Sequence, residues 1–291
     1  MKVTATLIKE AIYELLLPSV SINACIEYDG NHVANSNWGD DINYHFLSTL
    51  FNRRIFPLSR SLLRYIKIRS NYLIIGSTIS MLANNSSIIW GAGVISNKAP
   101  LRFRPRKVLA VRGPLTRKWL QENGVSCPAV YGDPAMLVPR IYNPKREVKY
   151  KLGLIPHYTD LANDHVQRFT EKNKDVKLIN IRDYGSWTDF VDNILSCETI
   201  VSSSLHGLII SDAYSIPNAW LEPSPQILGG DFKFRDYFES VNQTDRYHVP
   251  LELNEIEKGL NKWKAAKIDL VPLIQCCPFD ISNLLNDDER G

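Results

Sequence analysis

Four side chains able to move a proton or hold an anion stand just beyond short apolar runs that read as buried strands: Arg112, His157, Arg182 and His206. His206 has the most informative setting, ETIVSSSLHGLIISDAYSIPNAWLE over residues 198–222. Thr199-Ile200-Val201 suits a strand buried on both faces. Three serines, Leu205-His206-Gly207 and a helical run from Leu208 follow, ending at Pro217, and Asn218 to Leu221 reads as a second strand. His206 then sits where a strand ends and a helix begins, the edge at which free backbone N–H groups and the positive helix end favour anions. Imidazole titrates near neutrality and can serve as acid or base. A lone histidine can equally be structural. Arg112, between the strand Val108–Val111 and a Gly113-Pro114 helix start, is placed for bidentate contact with a carboxylate or phosphate.

Other segments add candidates for the same cleft. NSNWGDD over 35–41 offers Asn37, Gly39 and Asp40; capping of a helical run Ile42–Phe51 by Asp40 or Asp41 and a hold on sugar hydroxyls are both open readings. Gly91-Ala92-Gly93 follows the strand Ile88–Trp90 but lacks the third glycine and distal acid of a dinucleotide site, so these glycines read as close-packing turns that line a cleft. Lys233 and Arg235 follow the turn Gly229-Gly230-Asp231. No G-x-x-x-x-G-K-[ST], H-E-x-x-H or D-x-D occurs, so neither a metal nor a cofactor is expected.

The elements that must position these residues alternate strand and helix. Val20–Glu27, Tyr72–Ile75, Ile88–Trp90 and Val108–Val111 read as strands, with a helix Leu115–Asn123 stopped by Gly124. Lys151–Ile155 and Val176–Ile181 continue the pattern before the His206 unit. Residues 141–150 are polar, contain Pro144 and lack an apolar period. The expected architecture is therefore α/β, two Rossmann-like domains facing a central cleft, 1–145 and 146–291. Leu251–Ile268 reads as a charged amphipathic helix, and 271–285 is expected to pack back on the first domain.

At 291 residues, 44% hydrophobic and 22% charged, the chain has the composition of an ordinary globular protein, and a net charge of +3 gives no reason to expect nucleic acid. Its distribution is uneven. Arg53, Arg54, Arg60, Arg64, Lys67 and Arg69 form one basic cluster, and Arg102, Arg104, Arg106 and Lys107 another. They read either as solvated faces or as surfaces drawn to anionic lipid or a diphosphate-linked glycan. The five cysteines contain no C-x-x-C and read as reduced. The first twenty residues carry Lys9, Glu10 and Glu14 within an apolar patch, which suggests an amphipathic helix in a cytoplasmic protein.

The segments NWGDDIN, IIWGAGV, VLAVRGPLTRKWL, VYGDPAML, GLIPHY and SSSLHGLIISDAYSIPNAWLE stand in the order found in polysaccharide pyruvyl transferases, and over roughly residues 35–240 the chain resembles the bacterial exopolysaccharide branch of that family. The resemblance implies a fold similar to GT-B, transfer of the pyruvyl group of phosphoenolpyruvate to two hydroxyls of a glycan, and release of phosphate with closure of a cyclic ketal. It also implies that Arg112 binds the donor's charged groups and that His206 is the general acid. Ser203, Ser204 and Leu205 would join the donor site, and Asn37, Gly39, Asp40, Gly91, Gly93 and His157 the acceptor side. The residue two before the histidine is commonly arginine in the family; here it is Ser204, and Lys233 or Arg235 is the expected replacement charge. The acceptor would be a finished polymer or a lipid-diphosphate-linked precursor met at the inner face of the plasma membrane. Two rivals remain open: a metal-independent GT-B glycosyltransferase and a catalytically silent glycan- or lipid-binding module of the same fold.

Overall fold

A computed structural model describes residues 12–14, 16–29, 32–61, 69–224 and 229–289. Most of the predicted amino-terminal helix, together with Arg64 and Lys67 of the basic cluster, lies outside the described residues.

The strands in chain order are β1 (Ser19–Ile22), β2 (Tyr28–Asp29), β3 (His32–Val33), β4 (Arg54–Pro57), β5 (Asn71–Leu73), β6 (Ser87–Trp90), β7 (Lys107–Ala110), β8 (Tyr150–Ile155), β9 (Val176–Leu178), β10 (Cys197–Ser202), β11 (Asn218–Leu221) and β12 (His248–Val249). Two five-stranded parallel sheets result, in the orders β4-β1-β5-β6-β7 and β12-β11-β10-β8-β9, and β2 and β3 form a separate antiparallel pair. The α/β architecture with two Rossmann-like halves is thus present. Parallel strands need covering on both faces, which accounts for runs such as Ile200-Val201-Ser202 in β10, all fully buried.

Several elements are shorter than the sequence suggests. β1 covers four residues of Val20–Glu27 and its approach, β9 stops at Leu178, and the charged helix spans Leu253–Asn261. Two helices start earlier than predicted. The first runs Trp38–Phe51 with Asn37 as its cap, its side chain accepting from the Gly39 amide, while Asp41 reaches back to accept from the amides of Ser36 and Asn37 at 3.0 Å each. The second runs Leu205–Ala213, so that His206 belongs to its first turn. The serines that resemble a loop are the end of β10 and the helix cap: Ser202 Oγ accepts from the Ser204 amide.

One core joins both halves, with Trp38, Phe46, Trp90, Phe190, Trp220 and Tyr237 among its members. Trp38 stacks on Phe190 at 4.5 Å and its indole N–H donates to the Trp187 carbonyl at 3.0 Å. The carboxyl-terminal segment closes over the first sheet: the Trp90 indole donates to the Leu273 carbonyl at 2.8 Å, and Phe279 packs on Phe51 and Tyr72. No helix among the described residues is long and apolar enough to cross a membrane.

The most demanding contact between the halves is polar. Asp236, on the helix Phe232–Ser240, meets Arg112 and Thr116, and all three are fully buried. Arg112 Nε and Nη2 both lie 3.0 Å from Asp236 Oδ2, and the Thr116 amide and hydroxyl donate to the same carboxylate at 2.8 and 2.7 Å. Removing one member of such a pair strands the other charge in the interior. Asp236→Ala is expected to cost on the order of 3–5 kcal/mol. Urea unfolding measures it, and a loss below about 1 kcal/mol would show that the pair does not hold the halves together.

Candidate active site

The carboxyl ends of both sheets converge on one cleft of about 390 Å³. From the first half, Asn37, Asp40, Ser77 and Thr78 reach it; from the second come His157, Tyr158, Arg182, Ser204, His206 and Lys233. Each group follows a strand end or opens a helix, so the cleft gathers backbone N–H groups, hydroxyls and cations. No side chain caps the His206 helix, which leaves its positive end available to an anion.

His206 is held from three sides. A Cβ at Gly39 would overlap the imidazole, so only glycine lets the first-half helix approach this closely. The Trp38 ring stands edge-on at 6.5 Å. Below, Nε2 faces Asp133 Oδ2 at 4.0 Å, too far for a hydrogen bond, and both atoms are buried with no hydrogen-bond partner. Asp133 spends its other oxygen on the Ala135 amide at 3.0 Å. Burial, with the charges of Arg112 and Lys233 adding to it, lowers His206 to about 3. Burial raises Asp133 to about 6 against the pull of the Ala135 amide and Arg112. Burial thus favours the neutral imidazole, and the 4.0 Å gap leaves the two groups without a hydrogen bond.

Lys233 is the buried cation of the cleft, and Arg182 stands exposed at its edge. Burial, together with Arg112, lowers Lys233 to about 8, opposed by Asp40. Asp40 is raised to about 7, chiefly by burial, with Asn37 and Lys233 pulling it down and Asp41 and Glu27 pushing it up. His157 is lowered to about 4 by burial and by Lys233; its Nδ1 meets Thr159 Oγ1 at 2.8 Å and its amide donates to Ser203 Oγ at 2.9 Å.

Of the residues expected at the donor site, Ser204, Leu205 and Lys233 line the cleft beside His206. Ser203 lies just beneath, tied to His157. Arg112 is a departure. Rather than projecting into the cleft, its guanidinium is committed to Asp236, to the Val94 carbonyl at 3.1 Å and to Ser77 Oγ at 2.6 Å, and it meets the cleft only through that serine. Arg235 is elsewhere, over the Trp220 ring at 5.0 Å and donating to the Arg246 carbonyl. On the acceptor side Asn37, Asp40 and His157 line the cleft, whereas Gly39 serves His206. Gly91 packs against Pro134, and Gly93 makes room for the Arg112 guanidinium. Sequence reasoning passed over Asp133, although YGDP places it at a strand end by the same logic that picks out Arg112. It also missed Ser77 and Thr78, which follow β5, and Asp236, which carries no local signal. Among the described residues no group of three or more His, Cys, Asp or Glu side chains could hold a metal ion.

Comparison with known proteins adds a sequence-wide relation to this geometry. The family model described as polysaccharide pyruvyl transferase matches residues 22–225. The chain is 27% identical over 235 residues, 79% of each chain, to an uncharacterized protein of Acanthamoeba polyphaga mimivirus. It is 26% identical over 239 residues, 79% of this chain and 70% of the relative, to the succinoglycan biosynthesis protein ExoV of Rhizobium meliloti (strain 1021). The matched span contains every cleft residue named above except Lys233.

The carboxyl of Asp40, moved from 3.8 to about 7, makes the site testable through stability. A raised carboxyl favours folding below its ordinary range and loses that contribution as pH rises through the folded value. Asp40→Asn should therefore unfold at a higher temperature than the wild type at about pH 8, with the gain shrinking to nothing near pH 4. A gain that is flat with pH would mean that Asp40 is ionised throughout.

Proposed function

Because the chain belongs to the polysaccharide pyruvyl transferase family, we propose that it moves the pyruvyl group of phosphoenolpyruvate onto two hydroxyls of one sugar in a cell-surface polysaccharide or its lipid-linked precursor, closing a cyclic ketal and releasing phosphate. The observation that carries the reading is a buried imidazole, His206, at the uncapped start of a helix, with Lys233 and the hydroxyls of Ser77, Thr78 and Ser204 in the same cleft. Phosphoenolpyruvate carries a carboxylate and a phosphate, and such a cleft offers both helix-end amides and a fixed cation.

The donor's charge acts on the acid. Arg112 and Lys233 depress His206; an anion bound beside Lys233 offsets that field and favours the imidazolium, with Asp133 behind Nε2 to stabilise it. His206 then protonates the methylene carbon, the adjacent carbon becomes electrophilic, one sugar hydroxyl attacks and a second displaces phosphate. Lys233 takes the place of the arginine that Ser204 lacks. Arg112 acts from below, fixing Ser77 and setting the local field.

The paired sheets and shared cleft suit a GT-B-like arrangement with the acceptor on the first half and the donor on the second. We place the reaction in the cytoplasm at the inner face of the plasma membrane, where a lipid-diphosphate-linked glycan would be met. The described arginines of the first basic cluster support part of that surface, although Arg53, Arg54 and Arg60 also lie over the rings of Phe279, Phe56 and Tyr28.

Thermal-shift titration with phosphoenolpyruvate beside a panel of sugar nucleotides tests the donor. Phosphoenolpyruvate alone should stabilise the fold, by roughly 2.7 kcal/mol at a hundred times its Kd, and Lys233→Met should reduce that shift. Stabilisation by a sugar nucleotide in its place would make the protein a metal-independent glycosyltransferase. For turnover, His206→Ala should lose about 10²- to 10⁴-fold while still unfolding cooperatively; near-wild-type phosphate release would remove His206 from the mechanism.

A further inference from the structure

We infer that Asp40 is the catalytic base that accepts the proton of the first attacking sugar hydroxyl, an inference that rests on the reading of the cleft as a pyruvyl-transfer site. An aspartate in the first turn of a helix ordinarily has a simple explanation, the cap. Here that work is done by its neighbours: Asn37 caps through its side chain, and Asp41 accepts from the amides of Ser36 and Asn37 and from the Tyr184 hydroxyl at 2.9 Å. Asp40 takes no helix amide. Its Oδ2 is fixed by the Asn37 side-chain amide at 2.7 Å, and among the described residues its Oδ1 has no hydrogen-bond partner. It lies on the side of Gly76, where an added Cβ would stand 3.6 Å away.

Position supports the role. Asp40 follows Gly39, the residue pressed against the His206 ring, so carboxylate and imidazole share one wall. The other carboxylates nearby are unsuited. Asp41 is saturated by the cap and Tyr184, Asp133 is sealed behind His206, and Glu27 stands exposed on the cleft. The groups that set Asp40's charge are Lys233, which lowers its proton affinity, Asp41 and Glu27, which raise it, and the Asn37 amide. A carboxyl held near neutrality by burial can take a proton from a hydroxyl and release it within the same cycle.

The proton inventory calls for such a group. As the first sugar oxygen bonds to the central carbon of phosphoenolpyruvate, its proton passes to Asp40 while His206 gives a proton to the methylene, which becomes methyl. The second sugar oxygen bonds to the same carbon, the bond from that carbon to the phosphate oxygen breaks, and the second hydroxyl proton leaves with phosphate. Asp40 returns its proton to His206 through the cleft. One hydroxyl proton ends on carbon and one on phosphate, with no oxidant or further reactant.

The test uses the full chain, phosphoenolpyruvate, and methyl glycosides of galactose, glucose and mannose as acceptor probes, with Asp40→Asn and Asp40→Glu. Expected for Asp40→Asn is a loss of about 10²- to 10⁴-fold in kcat, with phosphoenolpyruvate affinity unchanged or tighter because a carboxylate beside Lys233 has gone. The acid limb of the wild-type kcat/KM profile, centred near pH 7, should be absent from this variant, and Asp40→Glu should recover part of the rate. Phosphate release at the wild-type rate, an unchanged acid limb, or loss of donor binding in parallel with turnover would each overturn the assignment and leave pyruvyl transfer standing. A wild type that neither binds nor consumes phosphoenolpyruvate with any probe would overturn both.

Discussion

The buried contact between Arg112 and Asp236 is the constraint on which the remaining geometry depends. Two full charges lie in the interior, and their desolvation is offset only because Thr116, Ser77 and the Val94 carbonyl complete the hydrogen bonding. The pair ties the strand-end turn after β7 to the helix that carries Lys233. Through Ser77 it reaches the turn after β5. The separation of the two strand-end surfaces is thereby fixed to within a hydrogen bond, and a cleft assembled from both halves needs that tolerance.

On this frame the ionisable groups share one pattern: burial disfavours the charged form of each. His206 and His157 are lowered, Lys233 is lowered, and Asp40 and Asp133 are raised. Each group sits nearer to neutrality than it would in water. A negative charge held beside Lys233 favours the charged forms of that lysine and of both histidines and disfavours those of Asp40 and Asp133 through the same low-dielectric space.

The alternation of strand and helix was readable because it rests on local rules: short β-branched runs, a Gly-Pro helix start at 113–114, a glycine stop at 124. The placement of reactive residues at strand ends was readable for the same reason, and His157, Ser204, His206 and Lys233 do meet. What local rules do not contain is direction. Arg112 follows its strand as predicted, yet its side chain turns inward because a carboxylate 124 residues later awaits it. Asp236 reads as one more charge in FKFRDYF, and Arg235 beside it points to the opposite side, toward Trp220. The start of the His206 helix at Leu205 was hidden by three serines, whose turn propensity is spent on the strand end and the cap.

The carboxyl-terminal segment has a consequence for how the chain is made. Leu273 and Phe279 complete the packing around Trp90, Phe51 and Tyr72, residues of the first half that leave the ribosome long before them. The first sheet therefore emerges with part of its apolar surface uncovered, and it stays so while the whole second half is synthesised. Its core is sealed only when the returning segment arrives. For this chain the order of synthesis and the order of completion run in opposite directions, and the interval between them is when the nascent first half is most open to wrong partners.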